Sequence, residues 1–376
     1  MKKVLILSCN TGQGHNSCAQ AIQAYFEERS VPCDIQDALS FISPGFSGFI
    51  SWGHSTVYRY FPWLFRWGYR WAEKHPGMFA EKTFFHSILT KGTSAMYHHI
   101  LSGGYDTVIC THIFAAIALT DITRKTPLPV QTALLATDYT CSPGVDAVDV
   151  RWYFVPHASL IKEFTAMGVP GDRIVVSGIP ARREFYRHVE KADAKRLLSI
   201  PPEHKHLLIS CGSMGCGHIQ KILRLLADKM PGDLDISVIC GTNTRLARKL
   251  NRKYHRDKNI HIQGYSNEMP LYMDSADLYL TKPGGITVTE AAVKRLPMVL
   301  NNAVSGCEEY NMRFFTRCRG AYAARSPQKL ARQCLKRIYA DDDLRRMRSA
   351  LESCGSSGVY DIWTALGGEE QRTDED

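Results

Sequence analysis

Short apolar runs recur along the chain. Each ends in glycine or a polar residue and is followed by a stretch whose apolar residues fall three or four apart. Residues 4–8, 107–111, 130–137, 153–155 and 174–177 form this pattern in the first half, and 207–211, 236–241, 260–264, 277–281 and 297–301 in the second. Runs of this length without polar alternation read as buried parallel strands, and the segments between them as crossover helices. Residues 17–28 illustrate the helical half, with Ala19, Ile22 and Phe26 on one face. The expected class is α/β. In such sheets the loops beyond the carboxyl ends of the strands carry the functional groups.

Three of those loops are glycine-rich. Residues 280–311 read LTKPGGITVTEAAVKRLPMVLNNAVSGCEEYN, which predicts strand, Gly284 and Gly285 turn, helix, and a further strand at 297–301. The unpaired amides of a first helical turn (here Gly285, Ile286 and Thr287, after Pro283 and Gly284) and the helix dipole favour a phosphate. Glu290 lies one turn in, placed for hydroxyls on whatever carries the phosphate, and Glu308 and Glu309 are expected on the loop after the next strand. Residues 10–16 read NTGQGHN, with Gly14 in the loop and His15 at the helix start. This loop has neither dinucleotide-fingerprint nor P-loop spacing, so NAD or ATP binding is not indicated. A histidine at such a loop suits a general base near neutral pH. The third loop, CGSMGCG at 211–217, offers Ser213 and the amides of Met214 and Gly215 to a diphosphate. Taken singly, Gly284 and Gly285 are also compatible with a plain turn, the acidic pair with a solvated face, and His15 with a cap.

Composition narrows the partners. Lys and Arg number 46 against 37 Asp and Glu, a net +9, which fits an anionic membrane surface or anionic substrates; no nucleic-acid motif accompanies it. Twelve scattered cysteines form no CxxC pair, so neither a zinc site nor a disulfide framework is expected. No apolar run approaches the roughly 20 residues of a membrane span. The opening MKKVLILSCNTG is too short in its apolar part for a signal peptide, so a cytoplasmic protein is expected. Residues 46–71 stand out, with eleven aromatics in 26 positions and four of the six tryptophans. Trp63, Trp67 and Trp71 recur every four residues, with Arg66 and Arg70 interleaved. The pattern suits either an aromatic core between helices or an interfacial helix whose arginines reach lipid phosphates.

The string 281–311 resembles the donor motif KPGG-(L/I)-T-V-(S/T)-E … G-x-E-E-Y-N of the monogalactosyldiacylglycerol synthase and processive diacylglycerol glucosyltransferase family, matching at Lys282, Pro283, Gly284, Gly285, Thr287, Val288, Thr289 and Glu290, then Gly306, Glu308, Glu309, Tyr310 and Asn311. The resemblance implies a GT-B fold of two Rossmann-like α/β domains with a cleft between them. It implies that His15 belongs to the family's GGH segment, with Gln13 replacing a glycine, and is the base or an acceptor-site residue. It implies that Arg182 in GIPAR lies near the donor phosphates, and that Tyr265 and Met269 in 264–278 read the uracil ring. His112 (in TH, 111–112) and Asp138 (in TDY, 137–139) stand equally as groups shaping the acceptor pocket or as structural residues. The following CSPGVDAVDVRW departs from the family and leaves the acceptor open.

The expected organisation is an N-terminal acceptor domain over 1–178 with a membrane-facing insertion at about 40–100, a C-terminal donor domain over 179–340, helices at 341–366 folding back on the first domain, and a disordered tail at 367–376. The expected activity is inverting transfer of a hexose from UDP-glucose or UDP-galactose to the hydroxyl of a diacylglycerol-type lipid, with no metal and no resident cofactor, on the inner face of the cell membrane. A lipid transferase using UDP-GlcNAc, a UDP-sugar 2-epimerase and a non-catalytic nucleotide sensor are the alternatives.

Overall fold

The structure, a computed structural model, describes all residues except 11–12, 44, 211, 213–217, 302–305, 355–357 and 370–376, together with the backbone alone at 13, 49, 51, 54–55, 58–60, 62 and 65. The chain divides into two units. The first is Met1–Arg182 with Ser305–Cys307 and Ser356–Asp376; the second is Arg183–Val304 with Glu308–Gly355.

The first unit is built on six parallel strands: β1 (Val4–Ser8), β2 (Cys33–Asp37), β3 (Thr107–Cys110), β4 (Gln131–Leu135), β5 (Trp152–Val155) and β6 (Ile174–Val176). Their order is β2-β1-β3-β4-β5-β6. Val4 pairs with Cys33 on one side and with Thr107 on the other. Every residue of β1 and β3 is buried, which is why both read as unbroken apolar runs. The second unit repeats the plan with β7 (Lys205–Ser210), β8 (Leu234–Ile239), β9 (Ile260–Gln263), β10 (Leu278–Thr281), β11 (Met298–Leu300) and β12 (Ala321–Ala323), ordered β12-β11-β10-β7-β8-β9. The sequence pattern does not predict β2 and β12. Both are edge strands, β2 reads CDIQD with polar residues through it, and β12 is three residues long.

In each sheet the chain leaves its first strand to one side and later returns to the other. β1 lies between β2 and β3, and β7 between β8 and β10. A crevice opens at the carboxyl ends where this direction reverses, between β1 and β3 in one unit and between β7 and β10 in the other.

The insertion between β2 and β3 is helical: Phe46–Tyr60, Pro62–Lys74, Phe84–Leu89 and Thr93–Ser102. Phe79, Leu89, Met96 and Ile100 anchor it in the core of the first unit. The C-terminal segment differs from the expected pair of helices folding back together. Asp341–Glu352 belongs to the second unit, because Leu344, Met347 and Leu351, spaced three and four apart, are buried on it. Val359–Ala365 belongs to the first, where Trp363 meets Phe26 edge-on at 5.0 Å. Most of the tail, 370–376, lies outside the described residues.

The second unit carries a polar core at the amino ends of its strands. The Asp277 carboxylate receives Lys191 Nζ at 2.8 Å, Lys195 Nζ at 3.3 Å and the His206 amide at 2.9 Å. Burial alone would raise this carboxyl; the two ammonium groups and the amide outweigh it and hold it at about 2. His206, fully buried, is bound through Nδ1 to Ser275 and through Nε2 to Ser237, and burial pushes its imidazole down to about 3.

Candidate functional site

In the first unit the crevice gathers side chains from three adjacent strand ends. His15 stands in the first turn of the helix Gln13–Glu27, which follows β1. Its Nδ1 lies 2.8 Å from the backbone carbonyl of Thr111, at the end of β3. A carbonyl can only accept, so Nδ1 carries the proton and donates, and the lone pair of the neutral ring sits on Nε2. Thr137 Oγ1, just beyond β4, is 3.0 Å from the same Nδ1 and is placed as a second acceptor for its N–H. His112 caps the helix Ile113–Lys125, accepting the Phe114 amide on Nδ1 at 3.1 Å. Its proton therefore sits on Nε2. The two imidazoles meet edge-to-face at 4.7 Å. One ring thus offers a basic nitrogen and its neighbour an N–H donor. Asp138, half-buried, follows Thr137 directly.

The sequence names His15, His112 and Asp138 but passes over Thr111, whose carbonyl fixes the His15 tautomer, and Thr137, which lies against the same nitrogen. The only signal for them is their place beside His112 and Asp138, at the ends of two strands that flank one another in the sheet.

In the second unit the crevice between β7 and β10 is framed by Gly212 and Lys282. Gly212 has φ +73°, and a Cβ there would lie 2.6 Å from Lys282 Cε, so a side chain is excluded by both backbone and neighbour. The helix Gly285–Val293 opens with Gly284 as its cap, in extended conformation and, among the described residues, with no side-chain cap for the first amides. Those of Gly285, Ile286 and Thr287 are therefore available to an anion. Pro283 is fixed by its carbonyl, which accepts Asn311 Nδ2 at 3.0 Å. Asn311 is fully buried, so it holds the turn in place. Lys282 Nζ is 3.0 Å from Glu308 Oε1. Glu308 and Glu309 are not on a loop as expected. They open the helix Cys307–Arg317, where two carboxylates favour the positive end of the dipole, and Glu308 is buried. Glu290 sits half-buried on the same helix as the glycine turn.

Tyr265 lies 66% exposed in the loop after β9, and Met269 begins the helix Met269–Ser275. Arg182 is half-buried at the last position of the first unit's main segment, and Gly14 is the second residue of its helix. Ser213, Met214 and Gly215 lie outside the described residues.

The four tryptophans of the aromatic insertion are exposed. On the helix Pro62–Lys74, Trp63 is 67% and Trp67 63% exposed, with Trp52 at 67% on the preceding helix. Trp67 and Trp71 stack at 6.5 Å with planes 17° apart, and Arg66 and Arg70 are exposed beside them. Exposed aromatic area of this size marks an interaction surface. Among the described residues no helix is long and apolar enough to cross a membrane.

Residues 15–181 match the family model for monogalactosyldiacylglycerol (MGDG) synthase, and residues 206–351 match the glycosyltransferase family 28 C-terminal domain. The chain is 25% identical over 362 residues to the processive diacylglycerol beta-glucosyltransferase of Staphylococcus saprophyticus, covering 94% of this chain and 88% of that protein. It is 27% identical over 225 residues to the Staphylococcus carnosus protein of the same name, covering 60% and 57%. Among solved structures, Acinetobacter baumannii MurG matches with TM-score 0.67 and 13% identity, over 97% of this chain and 99% of that one. The Neisseria meningitidis UDP-GlcNAc 2-epimerase bound to UDP-GlcNAc matches with TM-score 0.62 and 12% identity, over 97% and 98%. At these identities the structural likeness speaks for the fold. Two parallel six-stranded sheets, each with its crevice, and the paired domain matches define a UDP-sugar glycosyltransferase of the GT-B class. Within that class the chain belongs to the family that joins an MGDG-synthase N-terminal domain to a family 28 C-terminal domain.

Proposed function

We propose that the chain transfers a hexose from UDP-glucose or UDP-galactose to the hydroxyl of a diacylglycerol-type lipid at a membrane surface, with inversion. The observation that carries this reading is the tautomer of His15, held with its proton on Nδ1 by the Thr111 carbonyl and so with its basic nitrogen on Nε2. The names of the curated relatives support the lipid as acceptor. In the proposed step the lipid hydroxyl oxygen attacks the anomeric carbon and its proton passes to His15 Nε2. The bond from the anomeric carbon to the diphosphate oxygen breaks, and its electron pair leaves with UDP. His112 Nε2–H is a donor for the acceptor oxygens, and Asp138 borders the same pocket.

The donor is assigned to the second unit. The amides of Gly285, Ile286 and Thr287, with Arg182, receive the charge that develops on the diphosphate. Ser213, Met214 and Gly215, which lie outside the described residues, and Gly14 are the remaining candidates for donor binding. Tyr265 and Met269 take the uracil, Glu290 the ribose hydroxyls, and Glu308 and Glu309 the sugar hydroxyls, while Asn311 and Pro283 hold the turn. The exposed Trp63, Trp67 and Trp71, with Arg66 and Arg70, dock the protein on an anionic bilayer, where amphipathic rings and arginines are favoured.

Radiolabelled UDP-glucose, UDP-galactose and UDP-GlcNAc, each offered with diacylglycerol vesicles and followed by product chromatography, test this. A hexosyl lipid from one of the first two supports the proposal. Label found only from UDP-GlcNAc moves the assignment to a GlcNAc transferase, and UDP released without any lipid product moves it to the 2-epimerase reaction.

A further inference from the structure

Lys282 is the charged residue of the KPGG turn, and the reaction proposed above gives it no part. It follows Thr281, which pairs with Ser210 at the end of β7 on one side and with Leu300 at the end of β11 on the other. The three strand ends therefore stand level, and the loops beyond them leave side by side. Lys282 touches both neighbours. Toward β7 its stem crosses the α-carbon of Gly212, where a Cβ would lie 2.6 Å from Lys282 Cε, 3.7 Å from Cδ and 3.6 Å from Nζ. Toward β11 its ammonium reaches Glu308 Oε1 at 3.0 Å. Glu308 and Asn311 are both buried and lie three residues apart on the helix Cys307–Arg317, so they share a face. Asn311 Nδ2 donates to the Pro283 carbonyl at 3.0 Å. Lys282 and Pro283 are thus held at two points on one helix and, through the lysine stem, against the loop after β7. A buried carboxylate stays ionised only where it is paired. It has about four acceptor positions, so one ammonium does not exhaust it.

We propose that Lys282 is a positioning residue for the donor sugar, a strut that fixes Glu308 to accept sugar hydroxyls and sets the spacing between the loops after β7 and β10. This rests on the reading that Glu308 meets the sugar. The two ends use different parts of one side chain: the methylenes need the bare α-carbon of Gly212, and the charge needs Glu308. A methionine at position 282 keeps an apolar stem and loses the ammonium. The Glu308 carboxylate is then buried without this cation, and it turns away from the sugar or takes up a proton. UDP lacks the sugar, so the loss falls on UDP-sugar binding and turnover and spares UDP.

Wild type, Lys282→Met, Glu308→Gln and the double variant are titrated by calorimetry with UDP, UDP-glucose and UDP-galactose, and turnover is measured at saturating donor with diacylglycerol vesicles. Lys282→Met is expected to bind UDP like wild type, to bind the UDP-hexose roughly fivefold more weakly and to turn over about tenfold more slowly. The double variant is expected to match Glu308→Gln, because a residue that acts through Glu308 adds no loss once that carboxylate is gone. It leaves no charge at either position, so it carries the comparison even where Lys282→Met alone fails to fold. Weaker UDP binding in Lys282→Met would put the ammonium on the diphosphate and overturn the positioning role. Losses that add in the double variant, or wild-type affinity and turnover in Lys282→Met, would overturn it as well. Selective loss of UDP-hexose binding in Lys282→Met, with no lipid product from wild type, would overturn the transferase reading and leave the strut standing.

Discussion

His15 shows how a single side chain acquires a role from its backbone neighbours. An imidazole in a first helical turn can carry its proton on either nitrogen. The Thr111 carbonyl at 2.8 Å, which can only accept, settles the matter for Nδ1, and Thr137 Oγ1 at 3.0 Å is a second acceptor for the same N–H. Thr137 acts on the ring without reaching its reactive edge, so Thr137→Val is expected to lower kcat about tenfold, with a shifted pH profile and an unchanged KM for the UDP-sugar. A raised KM with kcat intact would place Thr137 in donor binding instead. The Lys282–Glu308 pair is the corresponding anchor in the second unit. Glu308→Ala is expected to cut turnover by about 10²-fold through lost orientation of the sugar, and steady-state rates at saturating donor check it. His15 is legible in the sequence because a glycine loop and a helix start lie beside it. Thr137 is not, since it is 122 residues away in the chain and only the adjacency of β1, β3 and β4 brings it to the ring. Glu308 stands out in the sequence as a candidate but not as part of a helix, because the residues just before it, 302–305, show no periodic pattern.

At the scale of elements, the helix Pro62–Lys74 combines a strong aromatic stripe with little burial. Trp63 and Trp67 are each more than 60% exposed, while the remainder of the insertion is tied to the core through Phe79, Leu89, Met96 and Ile100. Removing two exposed rings therefore costs the fold little and the surface much. Trp63→Ala combined with Trp67→Ala is expected to reduce co-sedimentation with anionic vesicles several-fold while leaving the melting temperature within a degree or two of wild type, since surface changes fall within about 0.5 kcal/mol. Equal sedimentation of the double variant and wild type would remove this helix from membrane docking. The spacing of the tryptophans was legible; whether they faced a core or solvent was not, because a four-residue period describes a helix face and not what covers it. The central strands were legible for the opposite reason. Burial on both faces gives β1, β3, β7 and β10 continuous apolar runs, whereas the edge strands β2 and β12 lack that constraint.

At the scale of the whole molecule, stability against acid rests on the polar core of the second unit. The His206 pKa in the folded protein, about 3, lies below the roughly 6.5 of an unfolded histidine. Between those values the unfolded chain holds a proton that the folded chain refuses. Stability is thus complete above about pH 6.5 and falls on acidification by about 1.4 kcal/mol per pH unit. Asp277, held at about 2, contributes stability that is present above the ordinary carboxylate value and is lost only as the pH falls through about 2. Denaturant unfolding at pH 7 and pH 5 is expected to differ by about 2 kcal/mol more in the wild type than in His206→Asn. An equal difference in both proteins would show that His206 does not carry the effect.

The central claim joins the two units by chemistry: a basic nitrogen on His15 and a UDP-sugar on the glycine turns of the second unit. The most direct measurement is UDP release from the donor sugar in wild type and His15→Ala, with and without diacylglycerol vesicles, alongside calorimetry of UDP binding. The account predicts release that requires the lipid, a loss of about 10²-fold or more in His15→Ala, and equal UDP affinity in both proteins. Release that proceeds without lipid, or at the same rate in His15→Ala, would contradict it.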